Sequence, residues 1–342
     1  MSDLRLRAID LATLAYVGVA TVAWLRLVSD DAIGERALLP AVHALLVVLV
    51  LLAPRARAAG PLGRFLGEWY PLLLLPGLYG EVHALTVHAG FQNEHWIQQL
   101  EGWVFGSQVS YRWIRAQPSR LLSWILHVAY LAYYPILYGS PLGLWLGGRR
   151  EASRQTIFAI MVTFYLCYAS FLVFPVAGPR YAFGTVHNAA TGVWPARVAG
   201  WLIDHGDSWG AAFPSSHVAA AVVATGMALR HWRRLGLVLL PFTIGLIPAT
   251  VYGQFHYGVD ALAGLAVAAL VLVTMQFAEA GAPGRLGAAD LGGRSRLMYL
   301  CARVPAAAKG MGGSPEARRP RQIDDTSNSR LARRPPDTWS PS

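Results

Sequence analysis

Long apolar runs separated by short polar breaks fill most of the chain. Eight can be drawn, at roughly residues 10–28, 38–53, 70–90, 121–146, 156–177, 215–229, 235–252 and 257–277, several of them near the ~20 residues with which a helix crosses a bilayer. The third is interrupted by Pro71, Pro76, Gly77 and Gly80. The pattern predicts an all-α fold, a polytopic membrane bundle of about eight transmembrane helices. Two longer connections remain. In residues 91–120, Trp96, Ile97, Leu100, Trp103, Val104 and Phe105 recur near the helical period, which predicts an amphipathic helix over 91–118 lying in the membrane interface. The other connection, 178–214, carries Arg180, Tyr181, His187, Asp204, His205 and Asp207.

Composition agrees with a membrane protein. Of 342 residues, 54% are apolar and 14% charged, against a usual charged share of about 25%. The formal charge of +10 looks like a nucleic-acid signal until it is located. Residues 279–342 hold 11 basic and 6 acidic residues in a Gly/Pro/Ser/Arg-rich stretch unable to build a core, so this is expected to be a disordered cytoplasmic tail near anionic lipid. Most of the remaining arginines flank apolar runs, and no nucleic-acid partner is needed to explain them. With the N-terminus inside, one membrane face collects eleven arginines before the tail is added and the other seven, which places both termini in the cytoplasm. The first run follows Arg5 and Arg7 as a signal peptide would, but no small-residue cleavage site follows it, so a retained anchor is expected. Cys167 and Cys301 do not suggest a disulfide, and Lys309 is the sole lysine. Phosphate loops, dinucleotide fingerprints and zinc motifs are absent, and the spacing of His83, His88 and His95 does not align them on one helix turn.

Three polar clusters stand at the ends of apolar runs, where ionisable groups are costly enough to suggest function. Arg180 follows the fifth run in Gly178-Pro179-Arg180-Tyr181; a guanidinium there is either a phosphate grip or an interfacial anchor. His217 opens the sixth run in Pro214-Ser215-Ser216-His217, a good helix start whose unpaired N–H groups favour an anion, or simply an N-cap with a histidine beside it. His256 and Asp260 open the eighth run four residues apart, so the carboxylate can accept from one ring nitrogen and leave the other as a nucleophile or base. The alternation of runs brings all four residues to the same membrane face, the outer one.

At these residues the chain resembles the type 2 phosphatidic acid phosphatase superfamily, whose second motif is Pro-Ser-Gly-His and whose third ends His-x-x-x-Asp. More narrowly it is similar to the inositol phosphorylceramide synthase branch, in Glu101-Gly102-Trp103-Val104-Phe105-Gly106 and in Tyr130, Tyr133 and Tyr134. The resemblance covers about residues 90–277 and implies a six-helix catalytic core. It divides the chain into an N-terminal pair of helices (1–64), a catalytic domain (65–278) and the tail (279–342). It also implies that His256 is the nucleophile that becomes phosphorylated, that Asp260 orients it, that His217 protonates the departing oxygen, and that Arg180, Ser215 and Ser216 hold the phosphoryl oxygens. Neither a metal nor an organic cofactor is implied.

The departures bear on mechanism. Val173 stands where the first motif begins with Lys, Ala249-Thr250 where the third begins Ser-Arg, and Ser216 where the second has Gly. Two cations fewer weaken charge stabilisation unless Tyr181, Tyr252, Gln254 or His187 compensates. The expected function is an integral-membrane phosphotransferase moving a phosphoryl or phospho-head group, phosphoinositol among the candidates, from a phospholipid or lipid-phosphate donor to an alcohol. The alternatives are a lipid phosphate phosphatase and, from another class, a non-catalytic transporter or scaffold.

Overall fold

The structure, a computed structural model, describes residues 5–27, 33–87 and 92–280, of which 27, 33–39, 279 and 280 are described by backbone alone. His88, the side chain of Arg36 and the tail with Cys301 and Lys309 lie outside the described residues. The elements in chain order are α1 (Ala8–Leu27), α2 (Ile33–Ala58), α3 (Gly60–Thr86), α4 (Glu94–Phe105), α5 (Val109–Ala116), α6 (Arg120–Leu131), α7 (Tyr133–Leu146), α8 (Arg150–Val173), α9 (Pro179–Phe183), α10 (Trp194–Gly206), α11 (Ser216–His231), α12 (Arg233–Tyr252) and α13 (Gly258–Ala280). No strand occurs among the described residues; one isolated parallel bridge pairs Val176 with Ala211.

Six stretches are long and apolar enough to cross a membrane: Ala8–Arg26, Pro40–Ala58, Arg120–Leu146, Arg150–Val173, Arg233–Tyr252 and Gly258–Ala278. The expected count of eight included two further runs, which form α3 and α11. Helix α11 has 16 residues and sits at the centre of the bundle, packed against α7, α8, α12 and α13. Its buried Ala219, Ala220, Ala221, Ala224 and Ala228 let neighbouring backbones approach, so it is enclosed by other helices of the bundle. Helix α3 has 27 residues but carries Glu68 and Glu81 inward. Glu68 accepts from Arg154 of α8 at 3.0 Å, and Glu81 pairs with His43 of α2, whose other ring nitrogen meets Thr21 Oγ1 of α1 at 2.8 Å. These partners make two buried acids tolerable in a membrane helix.

Helix α8 is shared by both halves of the bundle. It packs on α7, α11 and α13 on one side and on α1 and α3 on the other, and α2 packs on α1 and α3. The expected boundary at residues 64/65 falls inside α3. At the N-terminal end of α8 an ion network closes the bundle: Arg57 donates to both oxygens of Asp10 at 3.1 and 2.6 Å, and the Tyr70 hydroxyl donates to the same carboxylate at 2.8 Å. The 24 residues of α8 span about 36 Å and end beside the loop that carries Arg180.

The interfacial segment forms two helices, α4 and α5, broken at Gly106 with φ +68°. Trp96, Leu100, Trp103, Val104 and Phe105 are exposed, as an interfacial face should be, whereas Glu94, Ile97 and Glu101 are buried against the bundle.

Candidate active site

Three chain segments converge on one point. His217 lies in the first turn of α11, His256 two residues before α13, and the stretch 210–212 runs between them and the Arg180 loop. His256 Nδ1 is 2.9 Å from the carbonyl oxygen of Ala212. A carbonyl only accepts, so Nδ1 carries the proton and Nε2 keeps its lone pair. That Nε2 faces His217 Nδ1 at 3.4 Å, with ring centroids 5.5 Å apart. The nearer oxygen of Asp260 is 3.6 Å from His256 Nδ1, beyond a good hydrogen bond. Its hydrogen bond comes from the Tyr257 N–H at 2.7 Å. Asp260 therefore sits beside the ring without a direct hydrogen bond to it, and the backbone of Ala212 sets the tautomer. His217 is held between Tyr130 and Tyr133, ring centroids 5.6 and 4.5 Å away, with the Tyr130 hydroxyl 3.5 Å from its Nε2.

Backbone pairing explains how segments distant in sequence hold these positions. Val176 N donates to Gly210 O at 3.1 Å and Ala212 N to Val176 O at 3.0 Å, which locks the Arg180 loop to the carbonyl under His256. Ser215 N donates to Asp260 O at 2.9 Å, joining the starts of α11 and α13. The approach is close: a Cβ on Gly264 of α13 would stand 2.5 Å from the Ser215 carbonyl. Gly178 has φ +100°, and a Cβ there would meet Ala212 Cβ at 3.2 Å, so the turn that presents Arg180 needs glycine on both counts.

The buried face of α4 braces the same loops. Glu94 accepts from the N–H groups of Ala177 and Gly178 at 2.9 and 2.8 Å and from the Tyr257 hydroxyl at 2.9 Å. Glu101 accepts from Val259 N at 3.1 Å, in the first turn of α13, and from Ser110 N at 3.2 Å. Two carboxylates thus satisfy backbone donors of the Arg180 loop and of the start of α13.

A cavity of about 260 Å³ opens at the histidines. His217, His256, Ser216, Arg180, Tyr181 and Asp207 line its polar end. Leu75 of α3, Leu137 of α7 and Phe164 of α8 lie on its apolar wall, and Tyr79, Tyr134, Tyr138 and Tyr168 stand around it. Arg180 is the one Lys or Arg lining this cavity among the described residues, and its guanidinium is paired with Asp204. The Tyr181 hydroxyl donates to Asp207 at 3.0 Å, and burial beside that carboxylate pushes the Tyr181 hydroxyl well above the usual phenol range.

The remaining residues marked from the sequence stand elsewhere. Ser215 spends its hydroxyl on the helix cap, accepting from Val218 N at 3.3 Å, and does not line the cavity. Tyr252 is fully buried, away from the histidines, and donates to Gln117 O at 2.9 Å. Gln254, at φ +59°, and His187 line a neighbouring polar cavity of about 270 Å³ on the other side of the Arg180–Asp204 pair. Among the described residues lining the cavity, no Lys or Arg besides Arg180 stands in for the cations absent from the motifs. Val173 is 83% exposed at the end of α8, and Ala249 and Thr250 are buried, the Thr250 carbonyl accepting from the N–H groups of Phe255 and His256 at 2.9 and 3.0 Å. Sequence reasoning missed the Ala212 carbonyl, the bracing by Glu94 and Glu101, and the place of Asp207 in the cavity wall. The seven-residue spacing of the two glutamates, opposite the tryptophans of α4, was the signal for the second of these.

Comparison with known families places this geometry. A family model described as the PAP2 superfamily matches residues 95–274, more than half of the chain. No curated protein and no solved structure matches. The matched stretch contains α5 to α12 and most of α4 and α13, and with them every residue that approaches the His217–His256 pair at hydrogen-bond distance. An enzyme of the phosphatase type, acting on phosphate esters in a membrane setting, accounts for the paired imidazoles at the cavity's polar end. The chain belongs to the type 2 phosphatidic acid phosphatase (PAP2) superfamily.

Proposed function

We propose that this protein is an integral-membrane lipid phosphotransferase that works through a phosphohistidine on His256. The observation that carries the reading is the committed proton of His256: with Nδ1 donating to Ala212 O, the Nε2 lone pair is available and faces into the cavity beside His217. In the first half-reaction Nε2 attacks the phosphorus of the donor, the P–O bond to the lipid breaks, and His217 passes a proton to the departing oxygen. The positive charge left on the His256 ring is met by the Ala212 carbonyl and by Asp260. In the second, an acceptor hydroxyl attacks the same phosphorus, its proton goes to His217, and the P–N bond breaks. Arg180, Ser216 and the N–H groups at the start of α11 face the phosphoryl oxygens, the arginine exchanging Asp204 for the substrate.

Water in place of the alcohol turns the same cycle into a phosphatase, which is the second reading. The apolar wall of Leu75, Leu137 and Phe164 suits a lipid chain in either case. The sidedness that fits the arginine distribution puts both termini in the cytoplasm and the cavity at the outer rim of the bilayer. Purified protein supplied with a labelled lipid phosphate and a polyol is expected to give a polyol phosphate ester together with free phosphate. Free phosphate alone, over the full range of polyol concentration, leaves the phosphatase reading. His256→Ala is expected to lose turnover by about four orders of magnitude or more in either assay, as removal of a covalent nucleophile does.

A further inference from the structure

Asp207 stands in the wall of the catalytic cavity, directly after α10, and the cycle above does not use it. Its carboxylate is aimed by three neutral donors. The Tyr79 hydroxyl of α3 and the N–H of Ser208 donate to Oδ1 at 3.1 and 2.9 Å, and the Tyr181 hydroxyl donates to Oδ2 at 3.0 Å. Burial pushes the Asp207 carboxyl up and these hydrogen bonds pull it back. A carboxylate offers about four lone-pair sites, so these three donors leave one acceptor position on a residue that lines the cavity. The nearby guanidinium of Arg180 is engaged by Asp204.

This arrangement discriminates among ligands by charge. A second anion meets the carboxylate and is repelled. A cationic head group meets Arg180 and an imidazole that becomes cationic when it is phosphorylated. A neutral hydroxyl meets neither penalty and supplies the donor that the open lone pair lacks.

We propose that Asp207 is a positioning residue for a polyol on the reacting phosphorus, accepting a hydrogen bond from a hydroxyl that does not itself react. The inference rests on the phosphohistidine reading. Where the polyol is the free acceptor, one of its hydroxyls forms the new O–P bond in the transfer step and yields its proton to His217; where it is the donor's head group, its O–P bond is already made and stays intact. The P–Nε2 electron pair returns to His256, and Asp207 holds a second hydroxyl and takes no proton. The polyol arrives either as a free acceptor or as the head group esterified in the donor, and Asp207 offers both the same chemistry. Tyr79 lies outside the matched family residues, so the aim of this carboxylate depends partly on α3, which precedes the matched stretch.

Two assays on the full-length protein, native and Asp207→Asn, test this. The first uses labelled phosphatidic acid with free glycerol or inositol and reads the ratio of polyol phosphate to free phosphate. The second compares kcat/KM for donors esterified to glycerol or inositol with that for a choline-esterified donor. The expected result is a fall of about tenfold or more in one of these ratios, the scale of one hydrogen bond to a charged group. A fall in the first identifies a free acceptor, and a fall in the second identifies the donor's head group. Ratios within about twofold of native in both assays overturn the proposal, as does a native preference for the choline donor. If the Asn variant does not accumulate folded, Tyr79→Phe, which removes one aiming donor, is expected to lower the same ratio about threefold or more, and an unchanged ratio overturns the proposal. Native protein that forms phosphohistidine but uses no polyol in either assay sinks the role of Asp207 alone. Full activity in His256→Ala sinks the reading beneath it.

Discussion

His217 and His256 touch edge to edge, and their proton inventory follows from the groups around them. The Ala212 carbonyl claims the Nδ1 proton of His256, so the 3.4 Å contact between the rings is a donor on His217 Nδ1 facing an acceptor on His256 Nε2. In the ligand-free pair His256 Nε2 thus keeps its lone pair, and an N–H of His217 faces it. Removing the acid alone is expected to show its role through the leaving group. His217→Ala should lower turnover of alkyl phosphates by about 10²–10⁴-fold. With nitrophenyl phosphate, whose leaving group needs little protonation, the variant should release one equivalent of nitrophenolate rapidly and then stall, because the second half-reaction lacks its base. Stopped-flow absorbance reads this directly, and slow release without a burst would assign His217 a different task. His217, His256 and Asp260 were legible in the sequence because the motif spacing places each at a helix start. The acceptor for His256 was not legible, because a backbone carbonyl 44 positions away leaves no mark in residue type.

At the scale of elements, the site is held by a helix whose buried and exposed faces divide the labour. Trp96 and Trp103 of α4 face outward, while Glu94 and Glu101 reach in to the loop before Arg180 and to the first turn of α13. Hydrogen bonds to an ionised partner contribute about 1.5–3 kcal/mol, and the N–H groups of Val259 and Ser110 are buried with no other acceptor provided. Glu101→Ala is expected to destabilise the protein by about 2–3 kcal/mol, read as a lower midpoint in thermal unfolding of the detergent-solubilised enzyme, and to reduce kcat more than it raises KM. An unchanged midpoint would mean that these loops are held by the helices alone. The amphipathic period of α4 was readable from the tryptophans, but its break at Gly106 was not, since the apolar pattern continues across it. In the same way, one run over 121–146 became α6 and α7 with a turn at Ala132.

Across the whole molecule, α8 separates two chemistries. One end carries Arg154 and the ion network of Asp10, Arg57 and Glu68; the other ends beside Arg180 and the histidines. If the arginine-rich end faces the cytoplasm, the catalytic cavity opens on the opposite side. A single cysteine introduced at Thr185, in the loop between α9 and α10, is expected to react with a membrane-impermeant maleimide in intact cells. Labelling only after the membrane is permeabilised would reverse the topology. The N-terminal helices show how far sequence reading reaches at this scale. The runs of α1 and α2 stand out by hydropathy, whereas the contribution of α3 to the cavity through Leu75, Pro76 and Tyr79 appears only once the bundle closes. Pro71, Pro76, Gly77 and Gly80 interrupt this run in the sequence, yet α3 continues through them from Gly60 to Thr86.

The covalent step on His256 is the claim on which the rest depends. Protein mixed with labelled lipid phosphate, quenched in alkali within the first turnover and digested for mass spectrometry, should carry one phosphoryl group on the peptide containing His256 and none on that peptide in His256→Ala. Rapid product formation with no phosphate on His256, or with the label on another residue, would contradict the account.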